Sequence, residues 1–586
     1  MRIVRLFPFA CAAFMMSACA SENDDKGGDT NAEGKAQYMA VNIVSVGTNG
    51  SRAAAEYENG LEKESQIKKV RFYFYNQDGS PYILDGKKTN WTEPYDAIKN
   101  GQQNTNDENI TQETNSVLVF KPETGNSAPY SVIAVVNAES LGNTLTNKLG
   151  NGTQELNSLL TKIEDNQFYK VNITTGGTAP TTNYGKAASA ENFVMTSSVY
   201  LKDGEQQCQT LVSGHVYNKE EEAKNNPIDI YVERVVAKVT AEVNTTKWEL
   251  GNATTNNWET TKYGKVVGKT TDGKDVYAVL DGWNVADENG TAMLEKNIDK
   301  TWTNTGLGFT NIDPWNSADY HRCFWENSTV AGTTENPLIN YSYKTIAGNA
   351  FGADKYVYTL PNTLNSVTTD KYKNKLTKFI VAAHLRYDSD SKGKWKNVEI
   401  CNYKGIQYIG QDAVLDVIGS ESEYYIQEST SNYKSIGHEQ LEFKKATTTD
   451  AKDYKAIAKV KDGVKASEVY YKDKTTGKFI ALTSLDDVNK KIQAETADVR
   501  AEGSTYYFIP ISHLGSDPSI AQYGVVRNHV YKITVNDMQG FGTPVVDKEA
   551  VIIPTKPENE ATYLAAKIKV LSWRVVKQNA DLDYNK

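Results

Sequence analysis

Cysteine is scarce, with five residues in 586. Cys11 lies inside an apolar amino-terminal run and Cys19 at its exit, which leaves Cys208, Cys323 and Cys401. That set is odd and widely spaced, so it builds neither a disulfide framework nor a zinc pattern, and the three read as buried or half-buried thiols. Histidine is rarer in effect: six residues stand singly, and each reads as a structural side chain rather than a base or ligand. Long Leu/Ala stripes at helical spacing are nearly absent, which excludes a helical bundle. Beyond the first twenty residues no apolar run is long enough to span a bilayer. The chain has no G-x-S-x-G, no H-E-x-x-H, no P-loop and no paired CxxC. No enzyme, cofactor or metal is therefore expected. An excess of positive charge is also missing: the formal charge is −9 and the pI near 5.5, which argues against nucleic acid as a partner.

What the sequence has is β signal. Tyr (35) outnumbers Phe (16), and 39% of residues are hydrophobic. Strands are expected at "YMAVNIVSVG" (38–47), "QIKKVRFYFYNQDGSPY" with Val70, Phe72 and Phe74 on one face, "SVLVF" (116–120), "FVMTSSVYL" (193–201) and "PIDIYVERVVAKVTAEV" (227–243). "YSVIAVVNA" (130–138) is apolar enough to be buried on both faces. Further strands follow at 275–285, 355–363, 375–387, 504–514 and 525–539, and a helix is expected at 153–165. The fold class is all-β: two β-sandwich domains with long loop insertions and a few short helices. Polar Asn244–Asn257 marks the boundary, giving domains at 53–245 and 246–586. Loops such as 286–340 and 402–470 must carry short elements of their own.

Two stretches invite a ligand reading. "DSDSKGKWKNVE" sets Asp388, Asp390, Gly393 and Glu399 at calcium-loop positions, but Lys392 stands where a ligand is needed, and a hairpin turn is expected instead. "DPWNSADYHRCFWENS" (313–328) gathers Trp315, Tyr320, His321, Phe324 and Trp325. These rings could stack on sugar, but a loop pinned to the sandwich by its aromatics is the favoured reading.

The two ends carry the functional signal. Residues 1–18 read as a signal peptide, and Met16-Ser17-Ala18-Cys19 resembles the bacterial lipoprotein signal, with Cys19 the lipidation site. A polar tether follows. Arg52 is the single arginine between Cys19 and Arg71, in the small and polar setting "GTNGSRAAAEY", open to a protease at Arg52–Ala53. A cut there would release 19–52 and with it the first strand, exposing unpaired backbone and an apolar groove. At the other end "YLAAKIKVLSWRVVKQNADLDYNK" is a strong strand in which Ala566, Ile568 and Val570 alternate with Lys567, Lys569 and Leu571. Ile568, Val570, Trp573 and Val575 form the apolar row that could fill such a groove in another copy, by β-strand addition.

The stretches "VIAVVNA" (132–138), "FVMTSS" (193–198), "VERVVAKV" (232–239), "DYHRCFW" (319–325), "VVRNHVYKI" (525–533), "GFGTP" (540–544) and "KIKVLSWRVVKQNADL" (567–582) resemble, in this order, a fimbrillin of the short-fimbria shaft type. The resemblance implies two transthyretin-like Greek-key sandwiches and export to the outer membrane as a lipoprotein with Cys19 acylated. It also implies cleavage by an arginine-specific protease after Arg52, and polymerisation by donor-strand exchange with 567–582 as donor. The implied partners are other copies of the chain, tip and anchor subunits, and host or bacterial receptors; the implied place is a cell-surface fimbria serving adhesion and biofilm formation. The alternatives are a monomeric glycan-binding surface lipoprotein, or a tip or anchor subunit.

Overall fold

The computed structural model describes residues 37–46, 69–84, 89–91, 95–96, 110–120, 128–137, 194–202, 205–251, 261–270, 272–290, 292–298, 326–328, 338–363, 375–388, 393, 395–446, 453–513, 524–545, 547–554 and 563–572. Strands dominate them, in several sheets, with a few short helices. The helix expected at 153–165, Cys323 and the aromatic cluster through Trp325 lie outside the described residues.

The first half builds an eight-stranded sheet. Its main strands are β1 (Gln37–Val46), β2 (Lys69–Tyr75), β3 (Ile110–Phe120), β4 (Ser131–Val136), β5 (Met195–Ser197) and, after the one-and-a-half-turn helix α1 (Glu220–Asn225), β6 (Ile228–Arg234). They lie in the order β2-β4-β5-β6-β1-β3. Alternation assigns the faces. Val70, Phe72, Phe74, Val132, Ala134, Ile228, Ile230 and Val232 line one core with Met39 of β1. Tyr73, Tyr75, Ile133 and Val135 point the other way and join the core of the second half. All six residues of β4 are buried, as its continuous apolar run requires.

The chain changes sheets at Val235–Val236 and enters the second half with β7 (Ala237–Val243), ahead of the polar 244–257 stretch expected as the boundary. Then come β8 (Tyr263–Lys269), β9 (Asp275–Ala286), the short helix α2 (Tyr343–Ala347), β10 (Gly352–Thr359), β11 (Lys378–Asp388) and β12 (Trp395–Asn397).

Residues 400–500 make an excursion with a core of their own. The elements are β13 (Ile400–Tyr403), β14 (Ile406–Ile409), α3 (Gly410–Ser422), β15 (Tyr424–Ser429), β16 (Asn432–Ser435), β17 (Leu441–Lys445), β18 (Asp453–Val460), β19 (Val469–Lys472), β20 (Phe479–Ala481), α4 (Asp486–Ile492) and β21 (Thr496–Arg500). One sheet runs β14-β13-β21-β18-β17 and the other β16-β15-β19-β20. Val414, Leu415 and Ile418 of α3 and Val488 and Ile492 of α4 fill the space against Cys401, Ala456, Ala458 and Val499.

The chain then returns to the sandwich with β22 (Ser504–Pro510), β23 (His529–Gln539) and β24 (Tyr563–Ser572). One sheet there is β10-β7-β23-β24; the other carries β8-β9-β11-β22. Their facing rows meet in one core: Val239 and Ala241 of β7, Tyr531 and Ile533 of β23, Trp283 of β9, Val381 and Ala383 of β11, and Ile509 of β22. On the outer face of the second sheet α2 is seated by Tyr343 and Ile346 against Ile380, Ala382 and Phe508.

Candidate functional site

β1 occupies the interior of its sheet. It runs parallel to β6, with Val41 opposite Ile228 and Ile43 opposite Ile230, and antiparallel to β3, with Met39 opposite Leu118. The Met39 side chain is wholly buried. Among the described residues both partners of β1 depend on it for backbone pairing: β3 has no other neighbour in the sheet order, and β6 has only β5 on its far side. An extended segment near the start of the chain thus closes the sheet that the rest of the first half forms.

β24 sits at the opposite extreme, as the last strand of its sheet. It pairs antiparallel with β23 of its own chain, Ile568 opposite Ile533 and Val570 opposite Tyr531, with a register shift between Val535 and Asp537. Its other side carries no ladder among the described residues. β1 and β24 are each ten residues long. Of the residues singled out at the ends, Ile568 and Val570 fall in β24, whereas Cys19, Arg52, Ala53, Trp573 and Val575 lie outside the described residues.

The remaining candidates are structural in their surroundings. Asp388 and Gly393 belong to the β11–β12 hairpin, where the Gly393 N–H donates to Asp388 Oδ2 at 2.9 Å. Glu399 is turned to α3, accepting from the Gln411 N–H at 3.1 Å and from Gln411 Nε2 at 2.9 Å. Burial raises the Glu399 pKa against those bonds. Among the described residues no group of three or more His, Cys, Asp or Glu is placed to hold a metal ion. Cys208 and Cys401 are buried, free thiols, both pushed up chiefly by burial.

Two polar clusters escaped the sequence reading. In one, Asp281 receives Lys262 Nζ at 2.6 Å and His384 Nδ1 at 2.9 Å, and Tyr343 of α2 donates its hydroxyl to the same carboxylate. Burial alone would raise its pKa, but the hydrogen bond and charge of His384, with Lys262 and Tyr343, outweigh it and hold the carboxyl at about 2. The other lies where the halves meet. Arg527 donates from its backbone N–H to Glu326 Oε1 at 2.6 Å, from Nε to Glu326 Oε2 at 2.8 Å, and from its terminal nitrogens to the Leu294 and Met293 carbonyls at 2.9 Å. Arg234 Nη1 donates to Asn528 Oδ1 at 3.1 Å, and Lys296 pairs with Glu233 at 3.1 Å with both side chains wholly buried. Two stretches quoted separately from the sequence, "VERVVAKV" and "VVRNHVYKI", converge here with Glu326. Only the oddity of charged residues inside apolar runs hinted at it.

Residues 501–579 match the family model described as major fimbrial subunit protein type IV, fimbrillin, C-terminal. β22, β23 and β24 lie within that span, which also holds "VVRNHVYKI" and "GFGTP", so over it the chain is similar to the fimbrillin C-terminal family. No curated protein matches the chain. Similar solved structures include a fimbrilin from Porphyromonas gingivalis W83, at 12% identity and TM-score 0.33, covering 92% of this chain and 98% of that one. A tip fimbrial protein from Porphyromonas gingivalis with a C-terminal truncation shows 9% identity and TM-score 0.30, with 92% and 100% covered. A fimbrial assembly protein from Parabacteroides distasonis ATCC 8503 shows 12% identity and TM-score 0.24, with 61% and 84% covered.

Proposed function

We propose, from the fimbrillin character of its C-terminal region, that the chain is a shaft subunit of a cell-surface fimbria. In this reading it is exported as a lipoprotein through Cys19, cut after Arg52, and polymerised when β24 of one copy replaces β1 of the next. The finished fibre, joined to tip and anchor subunits, serves adhesion and biofilm formation.

The observation that carries the reading is the contrast between the two ten-residue strands, β1 interior and β24 at an edge. Removing β1 would orphan the facing N–H and C=O groups of β6 and β3, and a buried unpaired group costs about as much as a lost hydrogen bond. β24 gives up one ladder, that with β23, when it leaves its own sheet. In the gap between β6 and β3 it would make two. At about 1 kcal/mol net per backbone bond, the exchange favours transfer. Ile568 and Val570 would carry the apolar row of the donated strand into that gap. The contact is head-to-tail and does not close, so it makes a filament rather than a ring.

The test starts from the purified precursor and an arginine-specific protease. A new amino terminus at Ala53 together with an SDS-resistant ladder on an unboiled gel is expected, and deleting 567–586 should abolish the ladder. A chain left uncut at Arg52, or cut and still monomeric, rejects the shaft reading and points to a capping subunit.

A further inference from the structure

The excursion 400–500 presents a cleft of about 950 Å³, within the size range of ligand sites. Its floor is one face of the β16-β15-β19-β20 sheet. Tyr424 pairs with Tyr471, and Tyr471 with Ile480, so the three stand in a row across three strands. Two residues further along the same face, Ile426 pairs with Val469, which is buried in the core under α3 and α4. Of this core-type row the helices leave Tyr471 and Ile480 open, at 37% and 41% exposed, while Lys491 of α4 lies over the Tyr424 ring at 5.8 Å.

The rim is polar and carries both signs: Lys474 and Lys491 with Glu423, Asp473 and Asp487. Several of these groups already answer one another. Lys491 Nζ donates to the Ser422 carbonyl at 2.6 Å and lies 3.4 Å from Glu423, and Lys474 lies 3.7 Å from Glu423. Asp473 is spent on its turn, accepting from Thr475 and Thr476. Glu423 itself is held in the left-handed region at φ 64°. That residue ends α3 in the left-handed turn common at helix C-termini. Its carboxylate is carried by that backbone into the cleft beside the lysines.

We propose that this cleft binds a neutral oligosaccharide. Adjacent strands set the two tyrosines about 5 Å apart, which gives a partly apolar aromatic surface for the C–H faces of a sugar. The rim supplies donors and acceptors together for hydroxyls. With Asp473 spent on its turn, Lys474 and Lys491 stand against Glu423 and Asp487, so no strong net field selects an anion or a cation, and the charged rim and open floor are poorly suited to an apolar ligand. The site lies apart from β1 and β24 and does not depend on polymerisation.

The test uses the full, uncleaved chain and a panel of maltoheptaose, xylohexaose, mannohexaose and N-acetylchitohexaose, with a heparin oligosaccharide as the charged control, read by calorimetry and saturation-transfer NMR. At least one neutral oligosaccharide should bind. Tyr471→Ala should weaken it about tenfold or more, about 1.4 kcal/mol, and Tyr471→Phe should retain most of the affinity. Tyr433→Ala, on the opposite face where Tyr433 stacks on Phe479 at 3.9 Å, should leave it unchanged. Circular dichroism and thermal melting check that each variant folds. Binding by none of the neutral sugars, by heparin alone, or equally by Tyr471→Ala and Tyr424→Ala overturns the proposal.

Discussion

Arg527 ties together segments far apart in the chain, and its partner Glu326 is 201 residues away. Both side chains are essentially without solvent contact. Replacing the buried pair with apolar groups could be neutral, but removing one partner leaves an uncompensated charge. Arg527→Ala should therefore cost about 3–5 kcal/mol, read as a lower urea midpoint. Arg527→Lys should recover only part of this, because an ammonium cannot reproduce the guanidinium fork. Asp281 makes the corresponding prediction in pH. Its carboxyl is depressed from an ordinary 3.8 to about 2. The stability it gives is fully present above 3.8 and is lost as pH falls through about 2. It amounts to about 2 kcal/mol by linkage. The destabilisation caused by Asp281→Asn should accordingly shrink as unfolding is measured from pH 6 or so down to about 2. Neither partner set was legible in the sequence. A lone arginine in "VVRNHVYKI" is conspicuous, but nothing local says that a glutamate two hundred positions away will meet it.

Elements were far more legible than partners. β2, β4, β6, β11, β22 and β23 all fall where period-2 or continuous apolar runs placed them, because burial of a strand face writes its spacing directly into the residues. The helix α3 did not announce itself. It begins at Gly410, at φ 76°, and has no side-chain cap, and its buried residues Val414, Leu415 and Ile418 make too short a stripe to stand out. The 402–470 stretch therefore reads as a loop with short elements, although 400–500 holds a separate core. Gly282 shows the limit from another side. It lies at the bulge of β9, where an added Cβ would meet the Ile346 carbonyl at 2.5 Å and the Ala347 carbonyl at 2.8 Å. Those are backbone atoms of α2 and cannot move aside cheaply. Gly282→Ala should cost about 1–3 kcal/mol by overpacking, seen in chemical denaturation. Shortening the α2 side chain in the double variant Gly282→Ala, Ile346→Ala should not relieve it, since the clash is with the carbonyls.

At the scale of the whole molecule, the terminal strands obey different rules from the rest. Sequence alone identified both as strands, but could not tell that one closes a sheet by running parallel to β6 while the other waits at an edge. That follows from long-range pairing, which has no local signature. Its consequence can be measured without a fibre. A chain beginning at Ala53 and lacking 563–586 keeps the first sheet but has neither β1 nor any strand to donate. It should unfold at a lower denaturant concentration than the precursor, by several kcal/mol, because the ladders on both sides of β1 and the one between β23 and β24 are gone and each bond is worth on the order of 1 kcal/mol. A synthetic peptide of residues 563–582 added in trans should raise the midpoint with concentration, and by more than it raises that of a chain lacking 563–586 but keeping β1, where it can only reoccupy the edge of β23. A peptide of residues 37–46 should do the same, since it restores the original strand. A scrambled 563–582 peptide, with the apolar alternation destroyed, should not, because a one-residue slip sends every side chain to the wrong face. If the 37–46 peptide rescues and 563–582 does not, the gap exists but β24 is not made for it. If neither rescues, the first sheet closes on itself once β1 has gone, and the interior position of β1 serves folding rather than assembly.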